Sequence, residues 1–380
     1  MAPPGTSGVA EETVHAVVLS GSGSSSTDAF EVGAMQVLLA EGAAHLGGRP
    51  IDPAIYSGSG FGAFNAAVMA SQAGGDTATT VRYLGDAWLD GLSSAPGRCG
   101  NGVYRLRGNP LTFLNPRCYM PQPFLPFLQA FTDGGFLMAN LAERFAVFLG
   151  GGSGSLSERL LHIPDLTVFF DMAPLQSSLR RYVDLGRLGS SDKELVVIAS
   201  DWTEGRARAF LKPEVAGEDG YAILQASTAY LLAFPFVPIG GRPYGGGPGS
   251  MATPLKPVLD LYARPGRKLV VHVIYLVTEI AEIPLSPMTS ALAGLGRYFS
   301  MNEVLNRKNE VEYPPGVAPR SASGEMPGSV VIHSYRPRAP IINWFEFSNF
   351  DREITAAHIA EGRECVLRHD CAAEGCVLAH

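Results

Sequence analysis

The chain has 380 residues, of which 46% are hydrophobic and 17% are charged, so it is long and apolar enough to bury one large core. Its formal net charge of -7, without a clustered run of Lys and Arg, argues against a nucleic-acid partner. The five cysteines do not form the framework of a small secreted domain, and no segment reads as a transmembrane helix or a secretory signal, so we expect a cytoplasmic protein.

Apolar periodicity predicts alternating strands and helices along most of the chain. Strands are expected at residues 14–20, 53–57, 194–200, 206–211, 267–277 and 329–335. Helices are expected at residues 29–42, 62–73, 77–91, 134–149, 172–185, 220–233, 254–262, 284–306 and 350–368. Because the strands are separated by helices, we expect a three-layer α/β/α protein with a mostly parallel central sheet.

One elaborated domain accounts for nearly all of these elements. We expect a flexible tail at residues 1–13, the domain at 14–368 and a C-terminal tail at 369–380. Residues 92–160 interrupt the alternation and are rich in Phe, Tyr and Pro. This insertion predicts a helical, aromatic-rich cap, which either covers a pocket for an acyl chain or completes the core.

The segment from Tyr56 to Ala67 has the form of a nucleophile elbow without a nucleophile. An apolar run precedes it and a helix of small residues follows it. A strand, a tight glycine turn and a helix lift the middle residue of a Gly-x-Ser-x-Gly motif above the end of a sheet. In residues 58–62 that middle position is Gly60, and the serine, Ser59, stands one place too early.

The residues around the turn resemble the elbow of patatin-like phospholipases, Gly-x-Ser-x-Gly-Ala-x-Asn-Ala. The sequence matches that pattern at Gly58, Gly62, Ala63, Asn65 and Ala66. Further segments occur in the family's order over roughly residues 14–368: 16–21, 29–34, 169–175, 196–205, 226–229 and 234–238. The resemblance implies a lipid acyl hydrolase fold with a serine–aspartate dyad and an oxyanion loop.

The same resemblance implies that the reactive groups are missing. Counting back from Pro254 and Leu255 puts Gly246 where the family has its aspartate. The oxyanion loop reads Gly21, Ser22, Gly23 and Ser24, without the family's basic residue and with Asp28 following it. We therefore expect a pseudoenzyme that needs no cofactor and binds a lipid, an acyl-bearing small molecule or a protein partner.

Two other interpretations of these segments stay open. Ser59 is a candidate displaced nucleophile, in which case the chain is an active lipid acyl hydrolase or another acyl-processing enzyme. The run from Gly21 to Ser26 also has a weak similarity to a dinucleotide-binding turn, but its third glycine is absent.

Histidine and cysteine residues form one more pattern, in the C-terminal tail. The pairs Cys365/His369 and Cys376/His380 each have the i, i+4 spacing that puts ligands on one helix face. A continuous helix would hold the pairs roughly 16 Å apart, too far for one ion unless the chain bends at Gly375. We expect ordinary thiols and no metal site, and we interpret His272 as a core histidine.

Overall fold

The computed structural model describes residues 12–21, 26–94, 100–108, 125–149, 166–229, 234–246, 253–276, 329–339, 341 and 349–378. The expected helix at 284–306, Cys99, Cys118 and His380 lie outside these residues.

The strands are β1 (Glu12–Leu19), β2 (Ile55–Ser59), β3 (Arg105–Leu106), β4 (Phe170–Asp171), β5 (Glu194–Asp201), β6 (Arg206–Leu211), β7 (Val237–Ile239), β8 (Arg242–Gly245), β9 (Arg267–Ile274) and β10 (Val330–Tyr335). The helices are α1 (Ala29–Gln36), α2 (Phe61–Ser71), α3 (Thr77–Asp86), α4 (Leu125–Leu149), α5 (Ala173–Tyr182), α6 (Leu185–Ser190), α7 (Lys212–Val215), α8 (Gly220–Thr228), α9 (Leu255–Tyr262), α10 (Arg352–Leu367) and α11 (Cys371–Glu374). Short 3-10 turns occur at Ser26–Asp28, Ala44–Leu46 and Leu166–Phe169.

A mixed sheet organises the part of the chain that the structure describes. Its strand order is β10-β9-β1-β2-β5-β8-β7, and β6 also pairs with β5. The five strands from β10 to β5 are mutually parallel, whereas β6, β7 and β8 join antiparallel. Helices cover both faces, so the expected three-layer α/β/α architecture with a mostly parallel sheet is confirmed.

The layers follow from the alternation of side chains along the central strands. Val17 and Leu19 of β1 face the core beneath α1, α2, α3, α8 and α10, whereas Ala16 and Val18 face α9 on the other side. Every one of these four side chains is fully buried. A parallel strand covered on both faces reads as a continuous apolar run, which is the pattern that made β1 recognisable in the sequence.

The structure departs from the expected elements at a few places. The helix expected at 29–42 ends its α-helical part at Gln36 and continues as a π-helical turn, Val37–Glu41. Strands β7 and β8 were not expected, because each is short and contains a proline. Among the described helices, none combines the length and the apolar character that a membrane span requires.

Helices α1 and α10 touch backbone to backbone because glycines stand at their contact. A Cβ built on Gly33 would lie 1.8 Å from the carbonyl oxygen of Ile359, and one on Gly362 would lie 1.9 Å from that of Phe30. Only glycine fits at either position. This contact ties the C-terminal helix to the helix that follows the loop after β1.

We expect Gly362→Ala to lower the free energy of unfolding by about 1–3 kcal/mol, because the methyl group forces the two helices apart. Urea denaturation followed by circular dichroism measures the change. Gly135→Ala in α4 is the matched control, since nothing lies within 4 Å of its Cβ position. A loss no larger in Gly362→Ala than in Gly135→Ala would contradict the backbone contact.

Candidate functional site

The elbow connects β2 to α2 through a single residue, Gly60. Its backbone angles are φ 57° and ψ -138°, a region that is costly for any residue with a Cβ. This is the sharp strand-to-helix turn that projects the nucleophile in a Gly-x-Ser-x-Gly elbow. At its apex this chain carries no side chain.

The other glycines of the motif allow the backbone to approach itself closely. A Cβ on Gly58 would lie 2.2 Å from the carbonyl oxygen of Gly62. One on Gly62 would meet the Leu19 Cβ atom at 3.0 Å, so α2 packs directly against β1. These positions have a steric reason to be glycine that is independent of catalysis.

Gly21, the first residue of the expected oxyanion loop, lies against the elbow. A Cβ built on it would come within 1.8 Å of the Ser59 carbonyl oxygen. The loop therefore leaves β1 beside the turn at Gly60. Ser22, Gly23 and Ser24 lie outside the described residues.

Asn65 joins the start of α1 to the elbow helix in a buried polar network. Its side-chain amide donates to the Asp28 carbonyl oxygen at 3.2 Å and to Glu31 Oε2 at 2.9 Å. Its carbonyl oxygen accepts a hydrogen bond from Trp88 Nε1 at 2.7 Å. All four residues are fully buried, so this network fixes the start of α1 against α2.

The strand register brings Gly60 and Gly246 to the same point of the sheet. Ser59 pairs with Ile198 in the parallel direction, and Gly245 pairs with Ser200 in the antiparallel direction. Strand β6 pairs with residues 196–201 along one edge of β5, so β2 and β8 lie end to end along the other edge. Gly60 and Gly246, the residues that follow Ser59 and Gly245, therefore both come alongside Ala199 from the same edge.

The surroundings of Gly246 leave no room for a side chain. A Cβ there would lie 2.7 Å from the Ser227 carbonyl oxygen and 3.1 Å from that of Ala229. The Gly246 amide donates to the Ala229 carbonyl at 2.8 Å, and Ser227 Oγ donates to the Ile198 carbonyl at 2.6 Å. An aspartate could enter only if the backbone at the end of α8 moved.

Ser59 lies at the last position of β2 and is only 4% exposed. It belongs to the strand, where it pairs with Ile198, and not to the turn. Consecutive residues of a strand direct their side chains to opposite faces, so the serine and the apex occupy different sides of the chain.

A carboxylate that the sequence did not single out, Asp201, lies at the end of β5. Its two oxygens accept hydrogen bonds from Tyr244 Oη at 3.0 Å, from Arg242 at 3.2 Å, and from the Thr203 and Glu204 amides at 2.9 and 3.0 Å. Burial favours the neutral acid, but the hydrogen bonds prevail and hold the pKa of Asp201 below its ordinary value. An ionised carboxylate with this many donors is a weak base, so it shapes the turn.

A cleft of about 390 Å³ lies beside these residues, against β6 and β8. Its lining includes Arg208, Glu214 and Arg242. Arg208 and Glu214 pair at 2.7 Å, so part of this charge is neutralised within the cleft. So polar a lining does not suit an acyl chain.

Helix α4 lies in the expected cap region and is anchored by a charged contact. The buried Asp133 accepts hydrogen bonds from Arg105 at 2.7 and 3.0 Å and from the Gly108 amide at 3.1 Å. Arg105 also donates to Asp171 at 2.8 Å, which links α4 to β3 and β4. One side of α4 is thus fixed by a network of ionised groups.

Another side of α4 presents apolar side chains to solvent. At 100° per residue, five exposed side chains fall within one sector of the helix. They are Leu128 (63% exposed), Phe131 (86%), Met138 (67%), Leu141 (44%) and Phe145 (48%). We call these five residues the α4 stripe. An apolar patch of this extent is typical of a surface that meets a lipid or another protein.

His272 is a core histidine, as its sequence context indicated. It is fully buried in β9, and its ring nitrogens lie 3.1 Å from His15 Nδ1 and 3.0 Å from Tyr335 Oη. Burial lowers its pKa well below the ordinary value, and the neighbouring histidines lower it further.

No protein-family model matches the chain, and no curated protein matches it in sequence. Among solved structures it is similar to VipD from Legionella pneumophila, with 12% identity and a TM-score of 0.37, over 94% of this chain and 66% of that one. It is also similar to the type III effector protein ExoU, with 16% identity and a TM-score of 0.26, over 95% of this chain and 53% of that one. The chain thus spans less than two thirds of the length of either protein.

We expect Gly60→Ser to lower the free energy of unfolding by about 1–3 kcal/mol, because a Cβ is strained at φ 57°. Differential scanning calorimetry and urea denaturation measure the loss. Gly135→Ser in α4, where a Cβ meets nothing within 4 Å, is the matched control. Equal stability of the two variants would show that the turn does not require a positive φ at residue 60.

Proposed function

We propose that the chain is a patatin-like protein that binds a lipid or an acyl chain at its elbow face and does not hydrolyse it. One observation carries this proposal: the elbow's apex, whose backbone angles would strain any residue with a Cβ, is occupied by Gly60. The scaffold of a nucleophile elbow is present around it, but the atom that attacks is not.

Acyl transfer at such a site needs a nucleophile and a base close to the same acyl group. A serine hydroxyl attacks the acyl carbonyl, and a carboxylate accepts its proton. Glycine stands at both position 60 and position 246, so neither the hydroxyl nor the carboxylate is present there. Removal of a nucleophile costs on the order of a millionfold in rate in a serine hydrolase.

The lack of room for a side chain at Gly246 supports the proposed absence of a general base at this position. A simple exchange of aspartate for glycine would leave a cavity into which the carboxylate could return. Here the carbonyl oxygens of Ser227 and Ala229 lie at 2.7 and 3.1 Å from the Cβ position. The neighbouring backbone is packed around a glycine.

The α4 stripe supports a lipid as the ligand. The helix is fixed to the body by the Arg105–Asp133 ion pair, so its exposed apolar side chains are held at the surface. Burying such a stripe in acyl chains yields roughly 25 cal/mol for each Å² removed from water. The net charge of -7 gives an anionic headgroup little electrostatic attraction, so neutral lipids suit this surface.

We expect no turnover of p-nitrophenyl butyrate or phosphatidylcholine by the unmodified chain above the rate in buffer. Spectrophotometry at 400 nm and mass spectrometry of released fatty acid provide the two readouts. Ser59→Ala is measured in parallel. Turnover that disappears in Ser59→Ala would assign the reaction to the displaced serine, and turnover that persists would place it elsewhere; either result overturns the non-hydrolytic proposal.

We expect the chain to cosediment with neutral phosphatidylcholine vesicles, and Phe131→Asp/Met138→Asp to reduce the bound fraction at least tenfold, because two charges enter the apolar face. Binding should persist at 0.5 M salt, since apolar contacts are not screened. Leu367→Asp, at a 51% exposed leucine on α10, is the matched control and should bind as the unmodified chain does. Equal binding by the double variant, or no binding by the unmodified chain, would contradict the lipid ligand.

A further inference from the structure

The C-terminal segment folds back onto the edge of the sheet. Helix α10 ends at Leu367, and the short helix α11 ends at Glu374. Gly375 follows it, and its φ of 70° reverses the chain. Val377 then pairs with Ile332 of β10 through two backbone hydrogen bonds of 2.7 and 3.0 Å. This reversal carries residues 369–376 to the side of β10.

Four side chains with metal-binding atoms meet at this place. They are His333 from β10 and His369, Cys371 and Cys376 from the folded-back segment, and their ligand atoms all lie within 4.8 Å of one another. The expected pairing by i, i+4 spacing is not what forms the group. Cys365 remains apart, with its thiol donating to the Arg336 carbonyl at 3.2 Å.

The separations between the atoms suit a tetrahedral ion. His369 Nε2 lies 3.1 Å from Cys371 Sγ and 3.5 Å from Cys376 Sγ, and His333 Nδ1 lies 3.5 Å from Cys371 Sγ. With Zn–S near 2.3 Å and Zn–N near 2.0 Å, the ligand atoms of a tetrahedral zinc site stand about 3.3–3.8 Å apart. The two sulfur atoms are joined to each other as a disulfide, which is the alternative state of the same pair.

The surroundings of His369 orient it as a ligand. Its Nδ1 lies 3.2 Å from Glu374 Oε2, and a carboxylate only accepts hydrogen bonds, so Nδ1 carries the hydrogen. The lone pair of Nε2 then faces the two sulfur atoms. Histidine ligands of zinc commonly have a carboxylate in this position, because it fixes the tautomer and the ring orientation.

Further contacts hold the group in place from outside. The Ser334 amide donates to Cys376 Sγ at 3.3 Å, a contact that stabilises a thiolate. The ring of His45 lies tilted against the ring of His369, with 4.4 Å between the ring centroids, and its own Nε2 lies 2.9 Å from Tyr335 Oη. The His369 side chain is only 1% exposed. Four protein ligands would fill a tetrahedral site and leave no position for a substrate.

We propose that His333, His369, Cys371 and Cys376 form a structural Zn²⁺ site in the dithiol form of the protein, which fastens the C-terminal segment to β10. Two sulfurs and two imidazole nitrogens in a closed tetrahedral set are typical of structural zinc. On binding, the ion replaces the two thiol protons, which pass to solvent. The site lies outside the elbow and does not depend on the function proposed for it.

The test uses the full chain, reduced with a phosphine, freed of metal by a chelator and then titrated with Zn²⁺ or Co²⁺. We expect one Zn²⁺ per chain by elemental mass spectrometry. Co²⁺ should give the intense visible bands of a tetrahedral site with a thiolate charge-transfer band near the ultraviolet. A reduced chain that binds no stoichiometric Zn²⁺ would overturn the proposal.

Variants separate the site from adventitious binding. We expect Cys371→Ser and His333→Ala to weaken Zn²⁺ at least tenfold, and Glu374→Gln to weaken it about tenfold through the orientation of His369. Cys365→Ser, which removes a buried thiol outside the group, is the matched control and should retain one Zn²⁺ per chain. Circular dichroism of each variant shows that it is folded. Zinc binding by a folded Cys371→Ser as tight as that of the unmodified chain would also overturn the proposal.

Discussion

The close approach of three backbone segments at the elbow is the constraint on which the rest of the structure depends. The chain that leaves β1 lies against the Ser59 carbonyl at Gly21. Within the turn, the backbone at Gly58 lies against the backbone at Gly62. No side chain fits between these segments, so glycine is required by packing. The same packing sets β1, β2 and α2 in register and thereby places Gly60 at the carboxyl edge of the parallel strands, where open α/β sheets hold their ligands.

A reactive residue at the apex would add strain to this arrangement. A side chain at φ 57° costs about 1–3 kcal/mol, and a serine hydrolase tolerates that cost because the hydroxyl is needed there. Glycine at the apex avoids this strain, which agrees with the proposed non-hydrolytic role. Gly246 is packed as tightly, since the carbonyl oxygens of Ser227 and Ala229 leave no room for a Cβ there. The buried network of Asn65, by contrast, is a structural need of the fold and is intact.

Much of the architecture was predictable from the sequence because the parallel strands are covered on both faces. Apolar runs located β1, β5 and β9 within a few residues, and the glycine turn located the start of α2. Strands β7 and β8 were not predicted, because a segment of three or four residues that contains proline shows no hydrophobic periodicity. The convergence of His333 with Cys376 was also unpredictable, since 43 positions separate them and the chain must reverse at Gly375. The roles of Gly60 and Gly246 at the elbow remain predictions.

Reaction with a fluorophosphonate probe tests the central claim most directly, because such a probe modifies a serine only where the hydroxyl is activated and an oxyanion can be held. Intact-mass spectrometry of the full chain is compared with that of an active serine hydrolase treated alongside. We expect the chain to keep its unmodified mass while the control enzyme is fully labelled. A single stoichiometric adduct, mapped by peptide sequencing to Ser59, would contradict the account that the elbow binds and does not hydrolyse.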